Sequence, residues 1–189
     1  LDVPVTKVTG DARAPGRVVG GDGAGPFAIN NTGDNELATL RYAMRTADIR
    51  AVEEPFEAAG QKFNRGTFII QSATRAQVDA ATKELGLRAY TLASAPTVPM
   101  HPVRAARVAI MHNWTSTQTE GWFRIAFDGA KVPYDYISVE DIVKTPALSE
   151  RWDVIIFPPG TGNNRAMIDG SANTGRPIPW KNSPDFPNI

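Results

Sequence analysis

The chain has 189 residues, enough for one domain with a sizeable core or for two small α/β lobes. Twenty basic residues balance twenty acidic ones, which removes bulk attraction to nucleic acid or to an anionic membrane as a basis for function. Cysteine is absent, so disulfides, thiolate zinc sites and a cysteine nucleophile are excluded; no apolar run approaches the roughly 20 residues that span a bilayer, and no signal peptide is visible.

Residues 1–26 are rich in glycine and proline, with short β-like pieces. In "RVVGGDGAGPFAIN" the glycines at 20, 21, 23 and 25 are followed by Pro26 and the β-like Phe27-Ala28-Ile29. A dinucleotide-binding turn must open a helix so that amides and dipole meet the phosphates, so this run reads as a turn. A helix follows in "DNELATLRYAMRTADI", with Asp34 as N-cap and Leu37, Leu40, Met44 and Ala47 as one apolar stripe. Arg50 to Phe56 reads as a strand, Gly60 and Gly66 bracket a turn and a short connection, and Thr67 to Gln71 is a further strand. Thr74 and Gln77 have capping-box spacing at the start of a second helix that buries Val78, Ala81 and Leu85 and stops at Gly86. With the strand "LRAYTL", residues 27–93 are predicted to form a β-α-β-β-α-β lobe with helices against a sheet.

The proline-rich run "ASAPTVPMHP" places a stiff linker over 94–104. A second lobe over 105–189 opens with the buried strand Val108 to Met111. Thr117 and Glu120 repeat the capping-box spacing, Trp122, Ile125 and Ala126 form the core-facing side of the helix, and Gly129 ends it. Tyr134 to Ile137 is the next strand, and Asp153 to Phe157 reads as the most deeply buried strand of the chain. This is the first half of a doubly wound parallel sheet. From Pro158 onward the sequence is full of glycine, proline and asparagine and encodes no helix to cover Val154 to Phe157. The second lobe is therefore expected to be incomplete, cut from a longer protein or covered by a partner segment. The start at Leu1, not Met, is expected to mark either a processed product or a piece cut from something longer.

Candidate chemistry gathers at one place. His112 ends the first strand of the second lobe, at the carboxyl edge where α/β sheets bind ligands, and Asn113, Thr115 and Ser116 follow in the turn "NWTSTQTEG". Such a turn can hold an anion or a sugar through its amides and hydroxyls, or it can cap its own helix through Thr117. The histidines do not read as metal ligands: three residues after His101 stands Arg104, and three after His112 stands Thr115, so neither spacing offers a carboxylate. No G-x-S-x-G elbow occurs. "PPGTGNN" lacks the lysine and the following helix of a phosphate loop. Asn30-Asn31-Thr32 and Asn113-Trp114-Thr115 fit the glycosylation acceptor pattern, which is common by chance.

Taken together, "NELATLRYAMRTADIRAVEEPFEAAGQKFNRGTFIIQS", "ELGLRAYTL", "RVAIMHNWTSTQTEGWFRIAFDGAKVPYDYISVEDI" and "LSERWDVIIFPPG" resemble the carboxyl-terminal region of large bacterial zinc carboxypeptidases of the carboxypeptidase A-like family. The most specific stretches are Phe56, Gly60, Phe63 and Gly66 to Ile70, and Glu120 to Arg124. The resemblance covers roughly residues 27–160. It implies that the second lobe is an incomplete flavodoxin-like sheet of the class I glutamine amidotransferase type. It also implies a parent protein that hydrolyses peptides with zinc, is secreted or periplasmic, and carries its peptidase domain elsewhere in the same chain. The family's His-x-x-Glu zinc motif and the amidotransferase cysteine map onto no residue here. The expectation is a non-catalytic accessory region with no cofactor of its own. Its partners would be the parent's peptidase domain and a second copy of the chain in a homo-oligomer, with neither nucleic acid nor membrane. The alternative is an independent module that binds a small ligand at the His112 edge.

Overall fold

A computed structural model of the chain describes residues 2–10, 12, 14–112 and 117–159. It is a mixed α/β protein of two compact units that meet in sequence between Ala105 and Ala106.

In the first unit, β1 (Arg17–Val19), β2 (Phe27–Ile29), α1 (Glu36–Ala43), β3 (Ile49–Val52), β4 (Phe56–Ala58), β5 (Gln61–Phe63), β6 (Phe68–Ile70), α2 (Arg75–Leu85), β7 (Arg88–Thr91) and β8 (Met100–Pro102) follow in order. Six of these strands form one mixed sheet in the order β1-β7-β2-β6-β3-β8. Its four middle strands are mutually antiparallel, and β2-α1-β3 and β6-α2-β7 are interleaved crossovers, the split β-α-β arrangement. Strand alternation sends Phe27 and Ile29 to the face that α1 and α2 cover with Leu37, Leu40 and Val78. It sends Ala28, Ile69 and Leu92 to the other face, which the β4–β5 hairpin closes with Phe56 and Phe63. Each helix contributes one apolar stripe, and burying a large side chain in such a layer contributes about 1.5–3 kcal/mol.

Local chemistry explains the element ends. Thr74 Oγ1 accepts the Gln77 amide at 3.3 Å while Gln77 Oε1 accepts the Thr74 amide at 2.9 Å, so the predicted capping box forms. Gly86 takes φ +70° and closes α2 at its far end. At α1 the cap position is Asn35, without a side-chain bond; Asp34, the expected N-cap, stands one residue earlier and its Oδ1 accepts the Glu36 amide at 3.0 Å. A Cβ placed on Gly16 would stand 1.7 Å from the Thr82 carbonyl oxygen, so the chain entering β1 can pass the end of α2 only as glycine.

Three segments differ from the sequence reading. Arg17–Val19, placed in the glycine- and proline-rich segment, pairs parallel with β7 at the edge of the sheet. Arg50 to Phe56 is not one strand: the ladder of β3 ends at Val52, and the chain turns into the hairpin through Ala59 and Gly60, both at positive φ. Residues 94–104, read as a linker, include β8, which pairs antiparallel with β3. Pro102 fits because β8 is an edge strand, where a missing N–H costs no ladder bond.

The second unit runs β9 (Val108–His112), α3 (Gln118–Gly129), β10 (Tyr134–Ser138), α4 (Val139–Lys144), α5 (Leu148–Arg151) and β11 (Val154–Ile156). Its three strands are all parallel in the order β10-β9-β11. Ala109, Ile137 and Trp152 form a core on the side of α4 and α5, with Met111, Ile142, Leu148 and Ile155 against it. Arg107 ties the start of β9 to the start of β11 by donating to both carboxylate oxygens of Asp153 at 2.9 and 3.1 Å. The carboxylate raises the guanidinium pKa.

Two expectations fail here. Val154 to Phe157 is not the most deeply buried strand, for Val154 and Phe157 are exposed. As an edge strand, β11 has a partner on one side only, and among the described residues no helix covers Val154. Trp122, Ile125 and Ala126 do not face the core: Trp122 is 64% and Ile125 63% exposed. The inward stripe of α3 is Glu120, Arg124 and Phe127, because the strands beneath present phenol groups that hold polar partners.

Candidate functional site

The parallel register sets His112 beside Ser138 at the carboxyl ends of β9 and β10. Alternation places the side chains of Tyr134, Tyr136 and Ser138 on the same face as that of His112. The imidazole stacks on the Tyr136 ring, with centroids 4.4 Å apart and planes 19° from parallel. The Arg124 guanidinium carbon also lies 4.4 Å from the Tyr136 ring centroid, within cation–π range. Tyr136 donates its hydroxyl proton to Glu120 Oε1 at 2.6 Å, a charge-assisted bond. Tyr134 donates to Asp128 Oδ1 at 3.0 Å and packs edge-on against Phe127.

Glu120 is the unusual member. It is 4% exposed, and its Oε2 is closed to solvent with no hydrogen-bond partner; Arg124 Nε is in the same state. A buried carboxylate oxygen without a donor costs about 1–3 kcal/mol or more, because the water it loses is not replaced. The expected Thr117–Glu120 capping box does not form. Thr117 adopts φ −103° and ψ −12° and makes no side-chain cap bond, whereas a capping hydroxyl needs an extended backbone to reach the N3 amide. Glu120 instead accepts the Tyr136 hydroxyl. The Tyr136 pKa is pushed up to about 12, first by burial and then by the bond to Glu120 and its negative charge. Arg124 is also held above its usual value, chiefly by Tyr134.

Ser138, His112 and Asp141 also come together at this edge, but not as a nucleophilic triad. The Ser138 hydroxyl donates to Asp141 Oδ2 at 2.8 Å and accepts the Asp141 amide at 3.2 Å, while Asp141 Oδ2 accepts the Ser138 amide at 2.8 Å. This is the capping box of α4. A nucleophilic serine gives its proton to an imidazole; this one gives it to a carboxylate. The two bonds from Ser138, then the nearby Lys144 and His112, hold the Asp141 carboxyl below the usual range. The spacing Ser138-Val139-Glu140-Asp141 is the sequence signal from which α4 could have been found.

Of the residues expected at the edge, His112 is placed at the end of β9 as predicted, while Asn113, Thr115 and Ser116 lie outside the described residues, as does "GTGNN" after Pro159. Tyr136, on which His112 stacks, is distant in sequence and is brought beside it by the β9–β10 register, while Glu120 and Arg124 reach the same tyrosine from α3. His101 belongs to the other unit, where its Nδ1 lies 3.1 Å from Glu53 Oε1. Among the described residues no three His, Cys, Asp or Glu side chains form a group that could hold a metal ion, and no helix is long and apolar enough to cross a membrane. Asn30, the first acceptor-pattern asparagine, has its amide engaged: Nδ2 donates to the Lys62 carbonyl and Oδ1 accepts from the Asn64 amide and from Thr67 Oγ1. Comparison with protein-family models, with curated proteins and with solved structures finds no match.

Proposed function

We propose that this chain is a non-catalytic accessory region of a bacterial zinc metallocarboxypeptidase, a secreted or periplasmic peptide hydrolase whose peptidase domain lies elsewhere in the parent chain. The observation that carries the reading is the outer face of α3. Trp122 and Ile125 project into solvent with Gln118, Ala126 and Gly129 beside them, and the exposed charge on this helix, Asp128, stands at the edge of that face. An exposed face of this kind marks contact with another polypeptide. The composition agrees: with no cysteine and no His-x-x-Glu, neither of the two activities the resemblance suggests has residues to act through. On this reading the three parallel strands of the second unit are the opening of an amidotransferase-like, flavodoxin-like sheet kept as a docking element.

Sequencing the gene on both sides of the segment is the first test. A His-x-x-Glu motif with a later histidine upstream supports the reading; a start codon immediately before Leu1 with a stop after Ile189 ends it. The second test mixes the purified chain with the parent's peptidase domain in the ultracentrifuge. The wild type is expected to associate, and Trp122→Asp with Ile125→Asp to abolish association while leaving the melting temperature unchanged. Peptide hydrolysis by the isolated chain overturns the proposal.

A second reading, a small-ligand-binding module, is favoured by one observation, the His112–Tyr136 stack at the carboxyl edge of β9 and β10. A thermal shift with phosphate, nucleotides or sugars that disappears in His112→Ala supports it. The absence of any shift across these ligands sinks it.

A further inference from the structure

We draw no further inference here: the strongest candidate, the cluster of Glu120, Arg124 and Tyr136 between α3 and the β9–β10 pair, belongs to the site already described, and its unpartnered Glu120 oxygen is sealed from solvent and so offers a ligand nothing to touch.

Discussion

Tyr136 keeps its proton to an unusually high pH first because burial disfavours the phenolate, and then because its hydroxyl ends on the Glu120 carboxylate, which would repel that charge. A pKa higher in the folded than in the unfolded state means the folded state binds more protons between the two values. Stability is then fully present below about pH 10, the unfolded tyrosine value, and is lost as pH rises toward about 12. Thermal melts between pH 9 and 12, as ~1-unit steps, should show this loss. In Tyr136→Phe the Tyr136 part of the slope should vanish. In Glu120→Gln the Tyr136 absorbance titration should move down toward the ordinary phenol value. An unchanged titration would mean that the 2.6 Å bond does not set the proton's affinity. Two threonines with identical sequence spacing provide a sharper contrast. Thr74 caps α2 and Thr117 does not cap α3. Urea unfolding should find Thr74→Ala destabilised by about 1 kcal/mol and Thr117→Ala changed by less than about 0.5 kcal/mol. Equal losses at both positions would contradict the cap assignment.

Among the elements, those that depend on near neighbours were legible and those that depend on distant partners were not. The second helix shows its start at Thr74 and its stop at Gly86 because both signals act within one turn. The strand at 68–70 declares itself by its β-branched and aromatic run. The three-residue strands β4 and β5 carry too little pattern to announce a hairpin; what unites them is Phe56 stacked on Phe63 with centroids 4.8 Å apart. The outward side of α3 carries the apolar residues, although an apolar stripe normally faces a core, because the strand beneath presents the Tyr136 phenol, whose hydroxyl bonds Glu120 and whose ring lies under Arg124. At the candidate site the sequence marks His112 by its place at a strand end, whereas the Tyr136 that stacks on it is brought there by strand register. The β4–β5 turn supplies an element-level prediction. Ala59 sits at φ +48° beside Gly60 at +68°, a pair that asparagine and glycine adopt more readily. Ala59→Asn should stabilise the first unit by roughly 0.5–1 kcal/mol, read from the urea midpoint; a loss would show that the left-handed turn carries no strain.

For the whole molecule, a formal net charge of zero and a pI near 7.0 leave little repulsion between copies at neutral pH. With Trp122 and Ile125 projecting from α3, solubility should pass through a minimum near pH 7 in polyethylene glycol precipitation. Trp122→Glu should raise the precipitation threshold there more than Val5→Glu, which adds the same charge at another exposed apolar residue. Equal gains from both would assign the effect to charge and remove the α3 face from the explanation. The parallel pairing of β1 with β7 has a consequence in time. Arg17 leaves the ribosome long before Arg88, its partner in the ladder, has been made. While β2 to β6 emerge, the first strand has no ladder to join and must stay out of mispairings with later edges. Synthesis order and assembly order are therefore reversed at this edge, and nascent chains arrested before Leu87 should leave Arg17–Val19 open to protease, whereas chains released past Leu92 should protect it.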